Sequence, residues 1–120
     1  MAIECDWRIR KLIRANLEAV GLLVREAVSG PHGLQVADDS RPDLILIDLD
    51  MPNMDAPTLL NAFQSRFSDK PVPIVVMCAE PPDRHLLAHE PVVGCLQKPF
   101  SAFVLLQQIQ QALNSRSSVE

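Results

Sequence analysis

The chain has 120 residues, which allows one domain with a sizeable core and leaves no room for a second. Its 15 acidic and 11 basic residues give a formal charge of −4, which excludes a broad basic surface for direct binding of nucleic acid or an anionic membrane. No apolar stretch approaches the roughly 18 residues of a membrane span, and no signal peptide follows Met1, so we expect a cytoplasmic protein.

The first segments of the chain predict a very short strand followed by an amphipathic helix. Met1–Ile3 has the apolar character of a strand end, and residues 4–6 then supply polar groups. Apolar residues at three- and four-residue spacing predict a helix over 7–20, which Asp6 caps and Gly21 ends. Its basic residues, which we interpret as a solvated face, are Arg8, Arg10, Lys11 and Arg14. The next predicted segments are a strand over 22–27, a turn over 29–33 and a short helix over 34–39.

The central feature of the chain is an unbroken apolar run, Leu44–Ile47, which is typical of a strand buried on both faces. Asp48 and Asp50 follow it and point the same way on an extended chain, before residues 51–53 turn the chain. In open parallel sheets, ligands bind at the carboxyl ends of the strands. We therefore expect Asp48 to lie at a binding site.

The second half of the chain continues the alternation of helix and strand. Continuous apolar runs predict two further strands, and Asp55 and Ser101 are placed to cap helices. The predicted elements are a helix that begins at Asp55 and ends before Pro71, a strand over 74–78, a weak helix over 84–89, a strand over 92–97, and a last helix with an inward face of Ala102, Leu105, Leu106, Ile109 and Leu113.

Five apolar strands that alternate with helical patterns predict an α/β fold: a single doubly wound five-stranded parallel sheet with helices on both faces. We assign residues 1–114 to this domain and residues 115–120 to a tail or the start of a linker. Because the third strand lies near the middle of such a sheet, we expect the ends of the first, fourth and fifth strands to converge on Asp48. The residues at those ends are Glu4, Cys5, Asp6, Cys78, Ala79 and Lys98.

Two motifs in this order carry a family resemblance. The run from Pro42 to Asp55 contains Asp-x-x-Met-Pro-x-Met-Asp, and the triplet Lys98-Pro99-Phe100 follows some fifty residues later. Together with the acidic start before the first helix, they resemble a response-regulator receiver domain of two-component signalling over essentially the whole chain. The resemblance implies a flavodoxin-like strand order 2-1-3-4-5 and a cis peptide between Lys98 and Pro99.

The resemblance also implies roles for single residues. Asp48 would be the phosphoacceptor, which takes a phosphoryl group from a sensor histidine kinase or a phosphotransfer protein in a phosphorelay and becomes an aspartyl phosphate. Lys98 would pair with Asp48 and then with the phosphoryl oxygens. The implied cofactor is Mg²⁺, with the side chains of Glu4, Asp6 and Asp48 and the backbone carbonyl of Asp50 as ligands. Such a domain is no enzyme beyond its own phosphorylation and autodephosphorylation.

The chain departs from the family pattern at four positions. Cys5 stands where receivers usually have a second acid, and a thiol is a poor ligand for a hard ion. Cys78 replaces a Thr or Ser that donates a hydrogen bond to the phosphoryl group, and Cys95 replaces an aromatic switch residue. Ala56 replaces a common Gly. Chemistry at Asp48 is therefore expected to be transmitted less strongly.

Two other functions are compatible with these residues. A degenerate receiver would act only as a protein-interaction module. Asp48-Leu49-Asp50 also resembles the Asp-x-Asp motif of haloacid-dehalogenase-like phosphatases, which place it on their first strand. In either kind of receiver, the resemblance implies that an output partner or a second copy would bind through the fourth helix, fifth strand and fifth helix. The cysteines have no metal-type spacing, so we expect their thiols to be reduced. The short first strand is compatible with an amino terminus that has been trimmed.

Overall fold

The computed structural model of the chain describes residues 1–89 and 91–117, in which strands and helices alternate. In chain order these are β1 (Ala2–Ile3), α1 (Trp7–Ala19), β2 (Glu26–Ala27), α2 (Gly30–Asp39), β3 (Ile45–Asp48), α3 (Ala56–Arg66), β4 (Ile74–Cys78), α4 (Arg84–Leu87), β5 (Val92–Gln97) and α5 (Ala102–Ser117).

The five strands form one parallel sheet in the order β2-β1-β3-β4-β5, which confirms the predicted fold and strand order. In its register, Ile3 lies beside Ile47, Asp48 beside Met77 and Cys78 beside Gln97. The carboxyl ends of β1, β3, β4 and β5 are therefore adjacent. This edge of the sheet carries the candidate site.

Two apolar layers cover the two faces of the sheet, because side chains alternate along each strand. Ile45 and Ile47 of β3 pack in one layer with Phe63 of α3, and Leu46 packs in the other. The second layer contains Ile13 of α1 and the α5 residues Leu105, Ile109 and Ala112. Both faces of the central strand are buried, which explains its unbroken apolar sequence.

The three predicted helix caps are confirmed by hydrogen bonds to backbone amides. The Asp6 carboxylate accepts from the amide of Arg8 at 2.9 Å, and the Asp55 carboxylate accepts from that of Thr58 at 3.3 Å. The Ser101 hydroxyl accepts from the Val104 amide at 3.2 Å. Each cap satisfies an amide that has no partner inside its helix, so the starts of α1, α3 and α5 follow from local sequence.

Three predicted boundaries are wrong. β2 is confined to Glu26–Ala27 because its partner β1 is equally short. α2 begins at Gly30, so the predicted turn over 29–33 is the first turn of a helix in which Ser29 caps and Pro31 is tolerated. α4 is a single turn, shorter than the predicted 84–89.

α5 runs through residue 117, and residues 118–120 of the predicted tail lie outside the described residues. In the part of the chain that the structure describes, every helix is too short or too polar to cross a membrane.

Candidate functional site

Three charged side chains from three strand ends meet at the carboxyl edge of the sheet. Asp48 ends β3, Glu4 follows β1 directly, and Lys98 follows β5 directly. The Lys98 ammonium Nζ lies 2.9 Å from Asp48 Oδ1 and 3.1 Å from Glu4 Oε2. The structure thus brings together one lysine and two acids that are up to 94 residues apart in the chain.

Both acids of this cluster are buried, since Glu4 is 1% exposed and Asp48 is 2% exposed. Burial alone would lower the pKa of Lys98, but hydrogen bonds from its ammonium to Asp48 and Glu4 outweigh that effect and raise the pKa. Lys98 is therefore a fixed positive charge at neutral pH. Among the described residues, no buried side-chain nitrogen or oxygen lacks a hydrogen-bond partner.

The carboxyl of Glu4 has a pKa that is raised toward neutral pH. The pKa of its carboxyl is about 7, raised mainly by burial and also by a hydrogen bond with Asp48. The amide of Asp6, which donates to Glu4 Oε1 at 3.2 Å, acts in the opposite direction, as does Lys98. Two buried carboxyls thus share one lysine, and Glu4 takes up a proton readily.

Asp50 reaches the same cluster from the turn after β3. Its backbone amide donates to Asp48 Oδ1 at 2.9 Å, which fixes the orientation of the Asp48 carboxylate. Its own carboxylate accepts from the backbone amide of Ala79 at 2.8 Å and lies 4.0 Å from Lys98 Nζ. Asp50 is therefore part of the cluster, whereas a solvated turn residue would make neither contact.

Asp6 is the predicted site residue that the structure does not bring into the cluster. Its carboxylate caps α1 and pairs with the Arg8 guanidinium at 3.3 Å. Hydrogen bonds from the Arg8 side chain and backbone lower the pKa of Asp6. Among the described residues, the potential metal-binding group at this edge consists of one atom each from Glu4, Cys5 and Asp48, all within 4.8 Å of one another.

The chemistry of this donor set fits a divalent cation in part. The carboxylates of Glu4 and Asp48 are hard oxygen ligands of the kind that Mg²⁺ prefers. The exposed thiol of Cys5 is a soft ligand and suits zinc or a similar borderline ion better. The two acids therefore fit the expected cofactor, and Cys5 does not.

Cys78 lies at the end of β4 and is tied to the residues of the cluster through its backbone. Its carbonyl oxygen accepts from the Lys98 amide at 2.7 Å, just before the Lys98–Pro99 peptide, which is cis as expected. Its thiol lies 3.5 Å from the thiol of Cys95 on β5. Burial, and next the neighbouring sulfur of Cys95, raise the pKa of the Cys78 thiol to about 12.

Arg10 is a supporting residue that the sequence interpretation missed. Its guanidinium donates to the backbone carbonyl of Glu4 at 2.8 Å and to the Glu26 carboxylate at 3.0 Å. It thus holds the end of β1 beside β2. The interpretation of Arg10 as part of a solvated helix face is therefore wrong. Helical spacing alone does not predict this contact, because the partner Glu26 lies on β2, which comes beside α1 only when β2 pairs with β1.

Known proteins resemble this chain over most of its length. The family model described as the response regulator receiver domain matches residues 1–110. The transcriptional regulatory protein PrrA of Mycobacterium tuberculosis is 26% identical over 118 residues, which are 98% of this chain and 51% of PrrA. GlrR of Escherichia coli K12, also a transcriptional regulatory protein, is 31% identical over 113 residues, which are 94% of this chain and 26% of GlrR. The chain thus spans about half the length of PrrA and about a quarter of the length of GlrR.

A solved structure gives a similar result. The chemotaxis protein CheY4 of Vibrio cholerae superposes with a TM-score of 0.85 at 27% sequence identity. The match covers 93% of this chain and 95% of CheY4. The similarity of fold therefore extends over nearly all of both chains.

Proposed function

The chain belongs to the response regulator receiver domain family, and from this premise we propose that it accepts a phosphoryl group on Asp48 in a phosphorelay. Receivers are signalling domains, so the proposed chemistry is limited to phosphorylation and autodephosphorylation of Asp48. The observation that carries the proposal is the contact of 2.9 Å between the Lys98 ammonium and the buried Asp48 carboxylate. A fixed cation beside a carboxylate is what an arriving phosphoryl group needs for charge neutralisation.

In the proposed reaction, a carboxylate oxygen of Asp48 attacks the phosphorus of a phosphohistidine. The new phosphorus–oxygen bond gives an aspartyl phosphate, and the phosphorus–nitrogen bond to the imidazole breaks. Asp48 Oδ1 is held by Lys98 and by the Asp50 amide, so the orientation of the carboxylate is fixed before the donor arrives. Lys98 then pairs with the phosphoryl oxygens, whose charge replaces that of the free carboxylate.

Glu4 and Asp48 are the side chains that would hold a divalent cation, together with the backbone carbonyl of Asp50. When bound, Mg²⁺ would neutralise phosphoryl charge at this edge. The proposed role of Asp6 as a ligand has less support, because its carboxylate is used by the α1 cap and Arg8. Cys5 takes its place in the group of neighbouring ligand atoms.

We propose that a sensor histidine kinase or a phosphotransfer protein donates the phosphoryl group. The phosphorylated domain then binds an output protein or a second copy of this chain. The face formed by α4, β5 and α5 supports this proposal, because it exposes large apolar side chains. Leu87 is 41%, Val93 45% and Phe103 74% exposed. A cytoplasmic location, and the absence of direct nucleic acid or membrane binding by this domain, belong to the same proposal.

Incubation with acetyl phosphate and a divalent cation, followed by intact-mass measurement, tests the central step. We expect one phosphoryl adduct on the native protein and none on Asp48→Asn. Asp39→Asn is the matched control, because it removes an exposed acid at the end of α2 and leaves Asp48 and its neighbours in place. An adduct that persists in Asp48→Asn would overturn the assignment.

Two alternatives have distinct outcomes in the same experiment. Absence of an adduct with either Mg²⁺ or Mn²⁺ would favour the degenerate receiver that only binds protein partners. The observation that favours this alternative is the thiol of Cys5, which lies beside Glu4 and Asp48 where a hard ion would bind. Repeated turnover of p-nitrophenyl phosphate would instead favour the phosphatase. A receiver is phosphorylated stoichiometrically and does not turn over a phosphomonoester.

A further inference from the structure

Cys78 and Cys95 form a pair of thiols on one face of the sheet. In the β4–β5 register, Val76 lies beside Cys95 and Cys78 lies beside Gln97. Residues two apart on a strand point to the same face, so the two cysteine side chains are diagonal neighbours on adjacent strands. Their sulfur atoms are 3.5 Å apart, and neither thiol forms a disulfide.

The two thiols differ in their access to solvent. Cys78 is 3% exposed, whereas Cys95 is half-buried. The helix that follows β4 is only the four-residue α4, so the cover over this face of β5 is short. A small oxidant therefore reaches Cys95 first, and Cys78 lies within contact distance behind it.

We infer that Cys78 and Cys95 are an oxidation site, at which hydrogen peroxide converts the two thiols to one intrachain disulfide. The Cys95 sulfur attacks a peroxide oxygen, the oxygen–oxygen bond breaks, and a sulfenic acid and water result. The Cys78 sulfur then attacks the Cys95 sulfur, the sulfur–oxygen bond breaks, and a second water leaves. Two thiols lose two protons and two electrons, and one peroxide becomes two waters.

The geometry requires a modest movement. A disulfide has its sulfur atoms about 2.0 Å apart, so these two must approach by about 1.5 Å from their present 3.5 Å. Diagonal neighbours on adjacent strands have Cα atoms about 7–8 Å apart, slightly more than a disulfide usually spans, so the strand ends must also shift toward each other. Because the thiolate is the attacking species and burial disfavours it at Cys78, we expect slow formation.

Oxidation at this pair would also affect the phosphoacceptor site, and this part of the inference rests on the proposed function. The Cys78 carbonyl holds the Lys98 amide, and the next residue, Ala79, donates its amide to Asp50. A disulfide would fix the end of β4 to β5 and would remove the Cys78 S–H as a donor for the phosphoryl group. We expect the oxidised protein to be phosphorylated more slowly than the reduced protein.

The test is to treat the folded Cys5→Ser protein with hydrogen peroxide, because this variant removes the exposed thiol and leaves only the pair. After denaturation, we expect the count of thiols to fall from two to none while the chain stays monomeric. Trypsin cuts after Arg66, Arg84 and Arg116 but not at Lys70 or Lys98, each of which precedes proline. Without reduction, peptides 67–84 and 85–116 should therefore be recovered as one linked species, which dithiothreitol separates.

Cys95→Ala in the Cys5→Ser background is the matched control, since it replaces the half-buried member and leaves the buried one. In that variant we expect the Cys78 thiol to survive the same treatment. Two surviving thiols in the Cys5→Ser protein, a sulfinic acid on Cys95 without a link, or a disulfide between two chains would each overturn the inference. The disulfide is measured without phosphorylation, so failure of acetyl phosphate to label reduced protein would count against the proposed function alone.

Discussion

Lys98 Nζ lies 2.9 Å from Asp48 Oδ1, although β4 lies between β3, which Asp48 ends, and β5, which Lys98 follows. Lys98 reaches across because it lies beyond the end of β5, with its backbone amide bonded to the carbonyl of Cys78. The same ammonium serves Glu4 on the far side of Asp48. One lysine thus supplies the positive charge for two buried carboxyls, and four predictions depend on this arrangement and on the elements that position it.

Replacing Lys98 by Met should lower the free energy of unfolding by about 3 kcal/mol at pH 8, because it leaves Glu4 and Asp48 buried without a cation. The deficit should shrink at pH 5, where Glu4 is protonated and no longer needs a counter-charge. Urea unfolding at the two pH values measures both effects. Lys11→Met on the exposed face of α1 is the control and should change little. Equal deficits at pH 5 and pH 8 would contradict the proposed protonation of Glu4.

Glu4→Gln should change the pH dependence of stability in a defined direction. The pKa of Glu4 in the folded protein is raised to about 7 from an ordinary value of 4.5, so the folded state binds the proton more tightly than the unfolded state. Its stabilising contribution is complete below pH 4.5 and is lost as the pH rises through about 7.

We therefore expect the stability of the native protein, relative to Glu4→Gln, to fall by up to about 3 kcal/mol between pH 4.5 and pH 8. Taking the difference between the two proteins cancels other titrating groups, such as the amino group of Met1. Parallel unfolding curves over this range would show that Glu4 has an ordinary pKa, and carboxyl NMR of Glu4 gives an independent reading.

Cys5→Asp should raise the affinity for Mg²⁺ roughly tenfold, because it replaces a soft thiol by a hard carboxylate beside Glu4 and Asp48. The same substitution should weaken binding of Cd²⁺, which prefers sulfur. Titrations followed by the fluorescence of Trp7, which is 62% exposed and two residues from Cys5, measure both affinities. Cys5→Ser is the control that removes the thiol without adding a charge. If Mg²⁺ binds equally to all three proteins, Cys5 does not belong to the cation site.

Gly33→Ala should lower stability by about 1–3 kcal/mol, because it overpacks the contact between α2 and β1. A Cβ at Gly33 would lie 2.4 Å from Cδ1 and 2.9 Å from Cγ1 of Ile3, which is fully buried directly before Glu4. At Gly94 the nearest atom to an added Cβ is the flexible amide oxygen of Gln108, also at 2.4 Å. Gly94→Ala should therefore cost much less, and equal losses in thermal unfolding would show that Ile3 yields as easily as Gln108.

The elements that local sequence predicts well are those whose pattern is decided by neighbours within a turn or two. β3 and β4 are continuous apolar runs because both faces of each are covered, and α1 and α3 begin at acids that cap their own first amides. β2 and α2 were predicted less well. The extent of an edge strand depends on its partner, and the Gly and Pro that suggested a turn are compatible with the first turn of a helix capped by Ser29.

The sequence by itself determined the order of strands and helices and placed Asp48 and Lys98 at strand ends on one edge of the sheet, because strand ends of a parallel sheet converge by topology. Only the tertiary structure decided that Cys5 and not Asp6 lies beside Glu4 and Asp48, and that Cys78 touches Cys95. The physical reason is the distance along the chain over which each interaction acts. Hydrophobic period and capping act along a few residues of chain, whereas the direction of a loop side chain, the pKa of Glu4 and the contact of two thiols depend on burial and on partners from distant strands.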